Sequence, residues 1–145
     1  MMLVSQILKS KADAQVMTVQ PQITVAEAAA ILSEKRIGSL IVSRDGSQAD
    51  GIVSERDIVR EVGKRGAVCL TDPVSAIMTA NPTTCSRTDT ADQVLQTMTD
   101  GRFRHLPVVE GQVMVGLISI GDVVKARLSE LSMEKSALEG MIMGN

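Results

Sequence analysis

The chain has no tryptophan, no tyrosine and a single phenylalanine among its 145 residues. Its core must be built from Val, Ile, Leu, Ala and nine Met, and it offers few aromatic faces on which bases could stack. Positive charge is equally scarce. Fifteen Lys and Arg against 17 Asp and Glu give a net charge of −2 and a pI near 5.4. Without a basic field, non-specific nucleic-acid binding is not expected. No apolar run approaches the ~20 residues of a membrane span. No basic stretch followed by an apolar one opens the chain, so no secretory signal is read there. Cys69 and Cys85 fit no metal spacing and read as reduced thiols of a cytoplasmic protein.

Catalytic signatures are missing too. The one histidine, His105, has no nucleophile partner in a recognised motif. There is no P-loop and no G-x-G-x-x-G, and no His, Cys and carboxylate cluster suggests a metal. The expectation is binding without turnover, with neither a catalytic cofactor nor a metal. At 44% apolar the chain is nonetheless globular and long enough for one domain with a real core.

What the chain does have is a word written twice. GIVSERDIVR runs from Gly51 to Arg60 and GLISIGDVVK from Gly116 to Lys125. Both read Gly, apolar, apolar, Ser, any, any, Asp, apolar, Val, basic. Upstream, Thr24, Val25, Ala28 and Leu32 match Thr90, Ala91, Val94 and Met98, and Leu40 and Val42 match Leu106 and Val108. Val4, Ser5, Ile7 and Leu8 resemble Val74, Ser75, Ile77 and Met78 at a different offset, which leaves a longer connection, 9–15, in the first copy. Such duplication predicts two copies of one supersecondary unit about a pseudo-two-fold axis.

Each copy reads β-α-β-β-α. In the first, 16–19 is a strand and Thr24 caps a helix, with Glu27 completing a capping box. Gly38 closes that helix. Strands follow at 39–43 and 51–54 around a loop at 44–50, and a helix runs from Glu55 to about Val62. In the second, 83–86 is a strand and Thr90 caps a helix to about Asp100. Strands at 105–109 and 113–119 turn at Glu110-Gly111. The last helix begins near Ile120 and reaches about Met141. Leu128, Leu131, Leu138 and Ile142 form an apolar stripe on it, with Glu130, Glu134, Lys135 and Glu139 off the stripe. A partner surface is expected there, with Met133, Met141 and Met143 available to line it.

With two G-h-h-S-x-x-D-h words (h apolar), Leu-Ile-Val and Leu-Pro-Val-Val strands before them and a Thr-capped helix in each copy, the chain resembles a tandem cystathionine-β-synthase (CBS) domain pair, or Bateman module. SERD at Ser54 to Asp57, GRFRHLPV from Gly101 and SIGDVVKAR from Ser119 are similar to the small stand-alone bacterial type. The resemblance implies an α/β (α+β) module spanning 1–145, with CBS repeats at 4–64 and 74–128 and a helical tail at 129–145. It further implies a cleft with two ligand sites occupied by AMP, ADP, ATP or NAD(H), and a homodimer. By family position, one site would gather Lys11, Met17, Ile37, Gly38, Ser39, Arg104, His105, Leu117, Ser119, Gly121 and Asp122. The other would use Ser39, Ile52, Ser54, Arg56, Asp57, Thr79, Thr83, Phe103 and Arg104.

The chemistry suits those positions. A carboxylate such as Asp57 or Asp122 accepts hydrogen bonds from both hydroxyls of a ribose. A helix N-terminus beside Ser54 or Ser119 offers donors to phosphate. Ile52 and Leu117 could wall an adenine. The same residues also serve a simpler purpose, Ser as helix N-cap and Asp at the positive end of a helix. The sites should be unequal, because Gly38 stands where the other copy has Arg104 and Arg56 where it has Gly121. Arg104, His105 and Lys11 would favour phosphates at the Asp122 site. The expected function is a regulatory nucleotide-binding module acting on a separate, unidentified protein. The alternative is a structural or interaction homodimer with vestigial sites.

Overall fold

The computed structural model describes residues 1–11 and 16–142. Most of the connection beyond Lys11, and Met143 of the tail, lie outside the described residues. The order of elements is α1 (Val4–Ser10), β1 (Thr18–Val19), α2 (Val25–Lys35), β2 (Ser39–Val42), β3 (Gly51–Ser54), α3 (Glu55–Arg65), two short 3-10 turns (Gly66–Thr71 and Val74–Ala76), β4 (Thr79–Ala80), α4 (Ala91–Gly101), β5 (His105–Glu110), β6 (Val113–Ser119) and α5 (Ile120–Ile142). The fold is α+β with a long C-terminal helix.

Two compact units divide the chain, and they are not simply its halves. One contains 16–83 and 111–114; the other contains 1–11, 84–110 and 115–142. Within the first, β1 runs parallel to β2, while β3 lies antiparallel to both β2 and β4. The central strand β2 is buried at every position. Leu40, Val42 and Val53 meet Val25, Ala28 and Leu32 of α2, Ile58 of α3, and Val74 and Ile77 in one apolar core. Within the second unit, Leu106, Val108 and Ile118 of the β5–β6 hairpin pack with Val94 and Met98 of α4, Val123 and Ala126 of α5, and Val4 and Ile7 of α1.

The duplication is legible bond by bond. Ser43 N–H donates to the Val19 carbonyl (2.9 Å) and Val109 N–H to the Cys85 carbonyl (2.9 Å). An isolated parallel bridge from Cys85 to Val108 thus stands where the first unit has β1, in place of the full strand expected at 83–86. Thr24 and Thr90 both cap their helices through reciprocal capping boxes, with Glu27 and Gln93. Each cap satisfies otherwise orphaned N–H groups and stabilises its helix by about 1 kcal/mol.

The opening segments explain why the units cross the chain order. Val74 N–H donates to the Ile23 carbonyl, Ser75 N–H to Pro21, and Val25 N–H to Asp72. The same ties recur between Val4 and Asp89, Ser5 and Arg87, and Ala91 and Met2. Each copy's opening segment therefore docks on the other copy's helix and strand. Leu8 and Met78 complete the parallel: a side chain at Gly116 would strike Leu8, and one at Gly51 would strike Met78.

Two local expectations are corrected. Gly38 does not close α2; Arg36 does, in the left-handed region at φ 54°, and Arg102 repeats this after α4 at φ 57°. A non-glycine residue there is strained by about 1–2 kcal/mol, offset by the bond from the Ile37 N–H to the Leu32 carbonyl. Helix α3 runs on to Arg65, whose guanidinium pairs with Glu61 and Asp72, and Gly66 ends it at φ 72°. Glu130, off the apolar stripe as read, is buried, because it follows Val123 and Ala126 on the core-facing side of α5. Its carboxylate lies 3.5 Å from Arg127.

Candidate functional site

Both Ser–Asp pairs sit where a strand becomes a helix. In the first unit Ser54 is the last residue of β3 and the N-cap of α3. Its Oγ accepts the Asp57 N–H (3.2 Å), while Asp57 Oδ2 accepts the Ser54 N–H (2.8 Å) and the Ser54 hydroxyl (3.1 Å). Arg60 reaches back to Asp57 Oδ1 at 2.8 Å. Both carboxylate oxygens are therefore engaged. Around this junction the structure brings together Gly38, whose carbonyl accepts the Glu55 N–H, Ser39 paired in register with Ser54, and Ile52 paired with Thr79. Ser39 is 4% exposed and its Oγ has no hydrogen-bond partner among the described residues. Arg56 projects into solvent from the first turn of α3. Met17, Thr79 and Thr83 are exposed and Ile37 is half-buried.

In the second unit Ser119 ends β6 and Asp122 lies in the first turn of α5. Ser119 Oγ accepts the Asp122 N–H (3.1 Å), and Asp122 Oδ2 accepts the Ser119 N–H (2.8 Å). The third partner differs. Lys11 Nζ lies 2.9 Å from Asp122 Oδ2 and donates to the Leu117 carbonyl, also at 2.9 Å. Among the described residues no cation of its own helix pairs with Asp122 as Arg60 pairs with Asp57 Oδ1, and the Ser119 side chain bonds the carboxylate, as the Ser119 N–H does. The Arg104 carbonyl accepts the Ile120 N–H (2.8 Å), the counterpart of Gly38 and Glu55. His105, half-buried, opens β5; Arg104 and Gly121 are exposed, and Phe103 lies half-buried against Gly101.

Lys11 also replaces a strand. The residues matching β4 in the first copy are Lys9 and Ser10, where α1 still continues to Ser10. The Leu117 carbonyl on β6 is met by an ammonium instead of a neighbouring strand. Electrostatics follow the contacts. Burial pushes the Asp122 pKa up, but the Ser119 N–H and the Lys11 ammonium outweigh it, and the carboxyl is held below the usual carboxylate value. The sequence placed both Ser–Asp pairs at their junctions, and family position put Lys11 at the Asp122 site as a phosphate partner, whereas the structure pairs its ammonium with the carboxylate itself. No group of three or more His, Cys, Asp or Glu among the described residues could hold a metal ion. No helix among them is long and apolar enough to cross a membrane.

Two copies of one α+β unit, each with a Ser-x-x-Asp capping box opening a helix, define a CBS-domain pair. The CBS domain family matches at residues 4–64 and 74–129, and the chain belongs to that family. The mitochondrial CBS domain-containing protein CBSX3 of Arabidopsis thaliana is 33% identical over 148 residues, covering 97% of this chain and 72% of its own length. A CBS-domain containing protein from Agrobacterium tumefaciens superposes with a TM-score of 0.82 at 43% identity, covering 86% of this chain and 98% of that one. CBSX2, crystallised in complex with AMP, superposes with a TM-score of 0.72 at 25% identity, covering 89% and 98%.

Proposed function

We propose that this CBS-domain pair is a non-catalytic regulatory module that binds an adenine nucleotide, with the Asp122 junction as its better site. The observation that carries this is the unspent capacity of that junction. Among the described residues Asp122 Oδ1 meets no cation, whereas Asp57 Oδ1 is held by Arg60. Vicinal ribose hydroxyls need such an acceptor. A phosphate needs donors, which the N-terminus of α5 offers. The AMP bound to CBSX2 supports the ligand class. Sparse cations favour one or two phosphates over three. Arg104, His105 and Lys11 are the proposed phosphate partners, and Leu117 the apolar wall. Binding would regulate a partner, or self-association, only to the extent that the ligand prefers one conformation.

The test is calorimetric titration of nucleotide-stripped protein with AMP, ATP and NADH. Asp122→Ala is expected to weaken the tighter event at least about tenfold, or ~1.4 kcal/mol, and Asp57→Ala to change it far less. Equal losses would remove the ranking of the sites. One observation favours a structural module instead: both Ser–Asp pairs are satisfied as capping boxes without any ligand. No binding to the wild type would establish that reading.

A further inference from the structure

The ammonium of Lys11 stands where a ligand would have to bind. Nζ lies 2.9 Å from Asp122 Oδ2 and 2.9 Å from the Leu117 carbonyl oxygen. The first is the proposed ribose acceptor, and the second belongs to the proposed adenine wall. The placement is built into the fold. Lys11 directly follows α1, its own N–H donates to the Leu8 carbonyl (3.3 Å), and Val4 and Ile7 anchor that helix in the core.

Oδ2 also takes the Ser119 N–H at 2.8 Å. A carboxylate oxygen has room for about two donors, so Oδ2 is filled. A vicinal diol that spans both carboxylate oxygens must therefore remove one donor from Oδ2. The Ser119 N–H is fixed, because it belongs to the backbone of the strand–helix turn that the Ser119–Asp122 bonds close. Lys11 is the donor that can move.

The cost of moving it depends on the ligand. The Lys11 and Asp122 side chains are 29% and 23% exposed. Water thus replaces the lost pair only in part, and a half-buried charge deprived of its partner is destabilising. A neutral ligand that takes Asp122 leaves the ammonium against the Leu117 carbonyl alone. A ligand that brings its own anion offers the ammonium a new charge-assisted hydrogen bond. Asp57 has no such dependence. Its cation, Arg60, reaches back from one turn along α3 and is 50% exposed, so a displaced guanidinium returns to water at little cost.

We propose that Lys11 is the specificity-determining residue of the Asp122 junction: it holds the ribose acceptor closed to neutral nucleosides and yields it to ligands that carry a phosphate. The lysine competes with the ligand in the empty site and pairs with it in the loaded one. Selectivity is the difference between the two ligands' access to that second state. This role rests on the nucleotide reading above and adds to it the need for an anion.

The test is calorimetric titration of nucleotide-stripped protein with adenosine and with AMP. The wild type should bind AMP at least about tenfold tighter than adenosine. Lys11→Met keeps a flexible side chain and removes the charge. It should bind adenosine at least about threefold tighter than the wild type does, and AMP at least about tenfold weaker. A gain for adenosine is not a result that misfolding produces. Adding Asp122→Ala to Lys11→Met should abolish the gain, which ties it to this carboxylate. If the wild type binds AMP but Lys11→Met shows no gain for adenosine, the role of Lys11 is overturned and the nucleotide reading stands. A gain that survives Asp122→Ala overturns it equally. No binding of either ligand to either protein would overturn both.

Discussion

The two strand–helix junctions carry the same word and hold their carboxylates differently. Asp57 is neutralised from within its own helix by Arg60, one turn on. Asp122 is neutralised by Lys11, from the segment that docks on its unit. The first arrangement is local and uses both oxygens. The second is long-range and, among the described residues, brings its cation to Oδ2 and none to Oδ1. Duplication thus supplied two copies of a capping box, and a change of one cation's address made them chemically unequal. The lesson is that a repeated motif guarantees repeated backbone geometry but not repeated binding capacity.

The backbone equivalence can be broken most severely at the docking segments. Ile7 and Ile77 occupy matching positions, 2% and 6% exposed, in the cores of different units. Ile7→Ala and Ile77→Ala should each cost about 2–5 kcal/mol through lost burial and the cavity left behind. Urea unfolding monitored by circular dichroism would measure both. Similar losses would show that the opening segments are integral to each unit; a negligible loss for Ile7→Ala would show that α1 is dispensable. A smaller and more symmetrical effect is expected at the caps. Thr24→Ala and Thr90→Ala each remove an oxygen that accepts a backbone N–H at 3.1 Å. Each should cost about 1 kcal/mol, and a two-fold discrepancy in the same unfolding experiment would mark unequal units.

The chemical inequality is sharpened by Lys11→Met. The Asp122 pKa is depressed in the folded state, so its contribution to stability is present above the ordinary carboxylate value. It is lost as pH falls through the lower folded value. Removing Lys11 should raise that folded pKa toward normal. The variant should therefore be less stable at neutral pH by a few tenths to about 1 kcal/mol, since the pair is partly solvated. The deficit should close in acid. Thermal melts at pH 7, 5 and 3 would show it; a deficit constant with pH would mean that Lys11 acts by packing or by its bond to Leu117 alone.

How much of this the sequence disclosed follows from range. The Ser–Asp junctions, the Thr caps, the loop at 44–50 and the turn at Gly111 are set by residues within a few positions of one another, and all were readable. Arg36 at φ 54° was not, because glycine propensity pointed to Gly38 and only the bond to Leu32 shows which residue turns the chain. Glu130 was read only as lying off the apolar stripe, and its spacing from Val123 and Ala126 is what puts it inside. The Val4/Val74 match announced a shared segment but not that each would dock on the other copy. The grouping of Met17, Ile37 and Arg104 with either Asp rests on family position, as part of the proposed sites.

The smallest expected effect lies in the loops, where the copies differ most. The second copy turns at Gly111, while the first carries a longer loop organised by Asp45. Asp45 Oδ1 accepts the N–H groups of Ser47 (2.9 Å) and Gln48 (3.0 Å), and Ser43 Oγ lies 3.2 Å away. Those backbone bonds, Gln48 first, hold its pKa down to about 2. A depressed carboxylate stabilises above its unfolded value near ~3.9 and loses that contribution as pH falls through about 2. Asp45→Asn keeps an acceptor oxygen but removes the charge. The variant should melt slightly below the wild type at pH 6, with the gap narrowing at pH 3. A carbon-detected titration of the Asp45 carboxyl gives the direct reading. A midpoint near 4 would mean that the loop does not hold its carboxylate in solution, and the longer connection would then be a passive spacer.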